Sequence, residues 1–152
     1  MDRSVYIGHN VKIQNYALIY HPAELGDGVF VGPGAVLTND AYPRAVDPTG
    51  TPLDASGWTP VGVTVLEGAS LGAQSVCVAP VVIGRWALVG AGAVVVRDVP
   101  DFAIMVGNPA RRIGWVSRAG VRLQAEDAGS WRCPRTGARF RELDGVLHEE
   151  EV

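Results

Sequence analysis

Four positions in this chain carry the groups, or the spacing, that a group-transfer site would need. His21 offers an imidazole able to act as a general base near neutral pH. Asn39 offers an amide that can orient an acceptor or donate to an oxyanion. Arg97 offers a guanidinium suited to phosphate. The stretch of chain from His21 to Asn39 is as long as that from Ala79 to Arg97. That shared interval matters only if the chain returns to the same place each time it is covered.

The chain has such a period. Aliphatic anchors recur every six residues at Ile7, Ile13, Ile19, Leu25, Val31 and Leu37, and again at Val65, Leu71, Cys77, Ile83, Val89 and Val95. Four residues after each anchor comes a small or β-branched companion: Val11, Ala17, Ala23, Val29, Ala35 and Ala41, then Ala69, Ser75, Val81, Ala87, Ala93 and Val99. Met1–Val5 supplies part of a further hexad. A period of six is foreign to an α-helix, whose apolar spacing is 3, 4 and 7. It suits short strands whose inward residues lie two apart, joined by tight turns. Glycine follows the anchor at Gly8, Gly26, Gly32, Gly72, Gly84 and Gly90, where its freedom at positive φ suits a corner. Pro22, Pro33 and Pro80 also fall at corners, where a missing N–H does least harm. Three hexads, one per face, close a triangular coil, and stacked coils pair at about 4.8 Å. Three hexads is also the interval from His21 to Asn39. The expected fold is therefore all-β, a parallel β-helix.

From about Asn39 to Val63 the hexad is lost. The stretch Asp40-Ala-Tyr-Pro-Arg-Ala-Val-Asp-Pro-Thr-Gly-Thr-Pro52 is rich in Pro, Asp and Gly and reads as an extruded loop, of the length that is usually functional or disordered. Its departure point is the corner that His21 and Asn39 should share, one coil apart. If the loop adds nothing to the coil count, Ala79 and Arg97 continue that column.

Bulk properties narrow the function. A net charge of −3 with 19% charged residues gives no basic footprint for nucleic acid. Met1-Asp2-Arg3 leads straight into alternating sequence rather than a signal peptide, and no apolar run approaches the roughly 20 residues of a membrane span, so a soluble cytoplasmic protein is expected. The 2 cysteines, Cys77 and Cys133, form no C-x-x-C pair and no disulfide framework. A catalytic zinc site of the three-histidine kind wants three histidines per metal, and only His9 and His21 lie among the hexads, so no metal is expected.

The hexads Ile83-Gly84-Arg85-Trp86-Ala87-Leu88 and Val89-Gly90-Ala91-Gly92-Ala93-Val94 resemble those of the hexapeptide-repeat acyltransferases. That resemblance alone implies the left hand of the coil, since physics favours right-handed crossovers. It also implies a homotrimer with active sites between subunits. Asn10–Asn15, Gly28–Asp40 with Thr38-Asn39-Asp40, Pro43-Arg44, Val89–Pro100 and Val106-Gly-Asn-Pro-Ala-Arg111 are similar to the bacterial N-acetyltransferases of nucleotide-linked amino sugars, the UDP-2-acetamido-3-amino-2,3-dideoxyglucuronate type among them. The resemblance implies acetyl-CoA as co-substrate, with backbone contacts at Ala73 and Ala91 and phosphate contacts from Arg97, Arg111 and Arg112. It implies Asn39 as the residue that positions the sugar amine for direct attack on the thioester; His21, set beside it by the coil spacing, and Asp40 are the further catalytic candidates, and Tyr42 and Arg44 the substrate-binding ones. Members of that branch commonly begin with further N-terminal coils, whereas here the hexads run from the start. Few coils bury little apolar area in one copy, so trimerisation should matter more than usual.

Residues 1–115 are thus expected to form the β-helix and 116–152 a tail. Val121-Arg-Leu-Gln124 and Arg139-Phe-Arg-Glu-Leu143 alternate like strands. Trp131-Arg-Cys-Pro-Arg-Thr-Gly137 resembles half of a zinc ribbon with one cysteine missing, too few ligands for a four-coordinate site. A β-hairpin capping the open end of the helix is expected, with His148–Val152 frayed. Two other functions stay open: an O-acetyltransferase of a sugar or other small hydroxyl acceptor with His21 as base, and a non-catalytic hexapeptide scaffold.

Overall fold

A computed structural model describes residues 4–150. Each hexad becomes a two- or three-residue strand, one side chain turned out and its neighbour in. The strands of the first block are β1 (Tyr6–Ile7), β2 (Lys12–Ile13), β3 (Leu18–Ile19), β4 (Glu24–Leu25), β5 (Phe30–Val31) and β6 (Val36–Leu37). After the loop come β7 (Val63–Val65), β8 (Ser70–Leu71), β9 (Val76–Cys77), β10 (Val81–Ile83), β11 (Leu88–Val89) and β12 (Val94–Val95). They stack into three parallel faces: β1-β4-β7-β10 (face A), β2-β5-β8-β11 (face B) and β3-β6-β9-β12 (face C). Ile19 pairs with Leu37, one coil further on, and Leu37 pairs with Cys77 across the whole length of the loop. The loop is therefore inserted between coils and adds nothing to the coil count.

The anchors fill the prism. Leu25, Val31, Leu37, Leu71, Cys77, Ile83 and Val89 are 0% exposed, and full burial of such a side chain stabilises by about 1.5–3 kcal/mol. Companions are small because three faces converge on one axis. Ala41 does not take its expected place: it is exposed, and Val63, beyond the loop and 0% exposed, faces inward two residues before Val65. The glycines after the anchors also have a different role from the one expected. None of Gly8, Gly26, Gly32, Gly72, Gly84 or Gly90 has positive φ. They are needed because the next coil passes too close for a side chain: a Cβ on Gly72 would stand 2.5 Å from the Ala91 nitrogen. Positive φ falls two residues later, at Gly28, Gly34, Gly68 and Gly92, and equally at Asn10, Tyr16, Gln74 and Trp86.

The two ends differ. In the first coil Ile13 is 39% exposed, and Ile7, Val11 and Ala17 are half-buried. Val5 packs against the core, while Met1 of that expected further hexad lies outside the described residues. At the other end β13 (Ala103–Val106) adds to face B beside β11, and β14 (Arg111–Trp115) turns back antiparallel on it, through a bulge at Ile104/Met105, and ends the coils. The expected hairpin is a four-stranded antiparallel meander: β15 (Gln124–Asp127), β16 (Ser130–Arg132), β17 (Arg139–Leu143) and β18 (Val146–Glu149). Phe140 packs edge-on against Phe102, ring centroids 5.4 Å apart, joining the meander to the β-helix core. His148 and Glu149 belong to β18 rather than a frayed end, and Glu150 N–H donates to Arg139 O at 2.9 Å; Glu151 and Val152 lie outside the described residues. No helix among the described residues is long and apolar enough to cross a membrane.

Candidate functional site

Two of the three corners of the prism use glycine after the anchor. The corner from face C to face A does not: Tyr20, Thr38, Val78 and Val96 stand there, followed by His21, Asn39, Ala79 and Arg97. With the register above, these four form one column, successive members about 4.8 Å apart. Besides cross-coil backbone bonds such as Thr38 N–H to Cys77 O at 3.0 Å and Val78 N–H to Val95 O at 2.9 Å, this corner is tied across coils by side chains. Asn39 Nδ2 donates to the His21 carbonyl at 2.8 Å, and the Ala79 N–H donates to Thr38 Oγ1 at 2.9 Å. The first bond fixes the Asn39 amide and leaves Oδ1 as its accepting end. His21 Nδ1 lies 3.1 Å from the Ser4 carbonyl. That nitrogen therefore bears a proton, and in the neutral ring Nε2 carries the lone pair.

The loop leaves from this column and closes on it. Val61 N–H donates to the Asn39 carbonyl at 3.0 Å, forming a neck. Beyond the neck the chain pairs with itself: Leu53 N–H to Ala45 O at 3.0 Å, a Val46–Pro52 bridge, and a tight turn in which Asp47 Oδ1 accepts from the amides of Thr49 and Thr51. Hydrogen bonds from Thr49 and Thr51 hold the Asp47 carboxyl below its usual range, and Ser56 does the same to Asp54, where Asp54 caps a short 3-10 turn, Ala55–Gly57. The lobe encloses an open cavity of about 720 Å³. Its lining includes Asp40, Tyr42 and Arg44, which the sequence singles out, and Leu53, Asp54, Trp58 and Val61, which it does not. The available signal was a lone Trp in a Pro-, Asp- and Gly-rich segment.

The remaining predicted residues lie elsewhere. Ala73 and Ala91 stack at the corner from face B to face C, where the Gly92 N–H donates to Ala73 O at 2.9 Å. Face C, a width on the order of 15–20 Å for six residues near 3.3 Å each, separates them from Asn39 in the same chain. Arg97 is exposed in the Asn39 column. Arg111 is exposed at the start of β14, with an N–H donating to the Ala110 carbonyl at 3.1 Å. Arg112 is already engaged: it pairs with Glu142 at 3.2 Å and lies 4.0 Å over the Trp115 ring.

Neither cysteine enters this site. Burial pushes the Cys77 thiol up to about 12 inside the prism. In the meander, desolvation raises Cys133, but hydrogen bonds from Ser117, Thr136 and neighbouring amides outweigh it and hold the thiol at about 7. The Ser117 hydroxyl lies 3.2 Å from the Cys133 sulfur.

Face C is also distinctive outside. Its outward residues are Leu18, Val36, Val76 and Val94, flanked by Tyr20, Val78 and Val96; Leu18 is 46%, Tyr20 40% and Val96 46% exposed. Face A turns out Tyr6, Glu24, Thr64 and Val82, and face B Lys12, Phe30, Ser70 and Leu88. An apolar run on both sides of a parallel sheet is the pattern of a sheet covered on both faces.

Comparison with known proteins agrees with this architecture. Residues 4–39 match the family described as bacterial transferase hexapeptide (six repeats). The chain is 44% identical over 85 residues to dTDP-3-amino-3,6-dideoxy-alpha-D-galactopyranose 3-N-acetyltransferase of Aneurinibacillus thermoaerophilus, a match covering 56% of this chain and 43% of that protein. It thus spans less than half the length of that relative. Among solved structures, the serine acetyltransferase of Brucella abortus in complex with coenzyme A aligns with a TM-score of 0.60 at 20% identity, over 74% of this chain and 40% of that one. A hexapeptide-repeat containing acetyltransferase from Vibrio cholerae aligns with a TM-score of 0.59 at 24% identity, over 72% and 61%. These neighbours share the left-handed parallel β-helix. With its six-residue repeat and stacked coils the chain shares the fold of these proteins, and its residues 4–39 are similar to the bacterial transferase hexapeptide repeats.

Proposed function

We propose that the protein is an acetyl-CoA-dependent N-acetyltransferase acting on the amino group of a nucleotide-linked amino sugar. The observation that carries this reading is the position of Asn39: its amide is fixed by the His21 carbonyl and stands at the neck of a cavity bearing Asp40 and Arg44. An amino sugar joined to a diphosphate has an amine at one end and anionic oxygens further along, and the cavity offers a carboxylate and a guanidinium at Asp40 and Arg44. The dTDP-amino-sugar acetyltransferase named above, 44% identical over 85 residues, supports the same class of acceptor.

In this reading Asn39 Oδ1 accepts one amine N–H and aims the nitrogen lone pair at the thioester carbonyl. Attack forms the C–N bond, collapse breaks the C–S bond, and the proton lost by nitrogen leaves with the thiolate. His21 and Asp40 assist as acceptors near the amine. For the co-substrate, the close-stacked glycine corner offers backbone groups at Ala73 and Ala91, and Arg97 and Arg111 offer cations for phosphate. Those alanines and Asn39 occupy different edges of one prism, so a thioester lying along the first edge meets the Asn39 of a neighbouring copy. The apolar outer side of face C suits that packing, and a homotrimer completes the site. The proposal places the protein in the cytoplasm, where acetyl-CoA is supplied.

The test is thiol release from acetyl-CoA with a panel of dTDP- and UDP-linked amino sugars, followed by mass spectrometry of the products. Asn39→Ala should lower kcat/KM by about 100-fold, the loss typical of one positioning or oxyanion group, and His21→Ala by less than about tenfold. Full kcat/KM in both variants would refute the assignment. The ring tether at Ser4 favours one alternative, an O-acetyltransferase in which His21 is the base; there His21→Ala should cost about 10²–10⁴, with hydroxyl acceptors turned over.

A further inference from the structure

We infer that the loop lobe is a nucleoside subsite in which the base stacks on Trp58. The inference rests on the nucleotide-linked reading above and names the part of the ligand it left unplaced. Three of the four tryptophans are used by the fold. Trp115 is 0% exposed and donates to Glu142 at 2.9 Å; Trp131 donates to the same carboxylate at 3.2 Å; Trp86 packs on the core under Arg118, 5.2 Å from its ring. Trp58 does none of this. It is 41% exposed, stands outside the core cluster, and its indole N–H has no hydrogen-bond partner among the described residues. An indole held in a polar loop and turned onto a cavity presents a planar apolar surface with a polar edge, the combination that binding sites use.

The rest of the cavity argues for which ring it takes. Its volume of about 720 Å³ falls in the roughly 300–1,000 Å³ of sites that enclose a whole small ligand, more than a bare amino sugar requires. Its lining takes Asp40, Tyr42 and Arg44 from the segment that follows Asn39, and Leu53, Asp54, Ala55, Trp58 and Val61 from the returning segment, where the apolar groups predominate. A ligand with its amine at Asn39 and its diphosphate on Arg44 has only the nucleoside left for the Leu53–Val61 segment. The lobe is hydrogen-bonded to itself and closed at the neck, so the indole is presented before the ligand arrives, which reduces the ordering cost of binding.

Base–aromatic stacking contributes about 1–3 kcal/mol by alanine substitution, about 5- to 150-fold in affinity. The experiment is calorimetric titration of the whole protein, Trp58→Ala and Trp58→Phe with dTDP and UDP, and separately with CoA. Trp58→Ala should weaken nucleotide binding about 5- to 150-fold and Trp58→Phe by less than about threefold, with CoA affinity the same in all three. Nucleotide binding unchanged in Trp58→Ala overturns the subsite, including the case in which the indole packs on the sugar. Wild-type protein that binds CoA but neither nucleotide also overturns it. Nucleotide binding through Trp58 without any CoA binding supports the subsite while refuting acetyl transfer. Should Trp58→Ala lose CoA as well, Trp58→Phe decides: retained nucleotide affinity supports the subsite and lost affinity overturns it.

Discussion

Ser75 should be replaceable by alanine with a gain in stability. Its side chain points into the prism from the residue before β9, in the inward column Ala17, Ala35, Ser75, Ala93. It is 0% exposed, and its hydroxyl has no hydrogen-bond partner among the described residues. The backbone of the position is satisfied independently, Ser75 N–H to Gly72 O at 3.2 Å and Val36 N–H to Ser75 O at 2.9 Å, so the substitution disturbs only the side chain. A buried unsatisfied hydroxyl costs about 1–3 kcal/mol. Removing one oxygen forfeits a few dispersion contacts at about 0.1–0.2 kcal/mol each, of order 0.5–1 kcal/mol together. The net gain is about 0.5–2 kcal/mol, or roughly 1–8 °C in Tm at 2–4 °C per kcal/mol for a chain of this size. Thermal and urea unfolding at one fixed protein concentration would read it, since assembly also shifts Tm. A Tm equal to or below that of the unsubstituted protein would refute the reasoning, because it would require the hydroxyl to be satisfied in solution or its packing to outweigh its desolvation.

Two further outcomes follow from the same geometry. Hydrogen bonding from Trp115, helped by the Arg112 charge and by Trp131, holds the Glu142 carboxyl below its usual range despite desolvation. A depressed folded-state pKa stabilises above the unfolded pKa and loses that stabilisation as pH falls through the folded value. Glu142→Gln should therefore cost about 1–3 kcal/mol at neutral pH, and the gap to the unsubstituted protein in urea midpoints should close as pH drops below the carboxylate range. On face C, Val76→Asp puts a charge in the centre of the apolar strip and should lower the solution mass measured by light scattering to that of one chain. The dissociation constant should rise more than about tenfold, for a buried unpaired charge costing about 2–5 kcal/mol. Val82→Asp, at an outward site of face A, should leave the mass unchanged; equal behaviour of the two variants would remove face C as the interface.

How much of this was legible in the residues differs from one element to the next. The stacking of His21 under Asn39 follows from the hexad alone, because a strict six-residue period with three faces per coil leaves one register, and a slip would turn every anchor outward. The same arithmetic extended the column to Ala79 and Arg97 only if the loop added nothing to the coil count, and the pairing of Leu37 with Cys77 supplied that condition. The glycines were harder. Positive φ and close backbone approach both select a residue without Cβ, and only the coil spacing separates them. Ala41 fits the hexad as well as Val63 does; only the point where the chain re-enters the prism decides between them.

The sequence by itself determined the local and periodic features: two-residue strands, inward anchors, corners, the break at Asn39, and hence the pairing of His21 with Asn39. Each depends on interactions one turn or one coil away, which a repeated pattern encodes directly. Only the tertiary structure decided that Trp58 and Leu53 line one cavity with Asp40 and Arg44, and that Arg112 is held between Glu142 and Trp115. It alone decided, too, that the tail is a four-stranded meander docked through Phe140 on Phe102. Those contacts join segments that share no period, so nothing in the spacing of residues could specify them; they arise where aperiodic chain folds back and buries what the coils leave open.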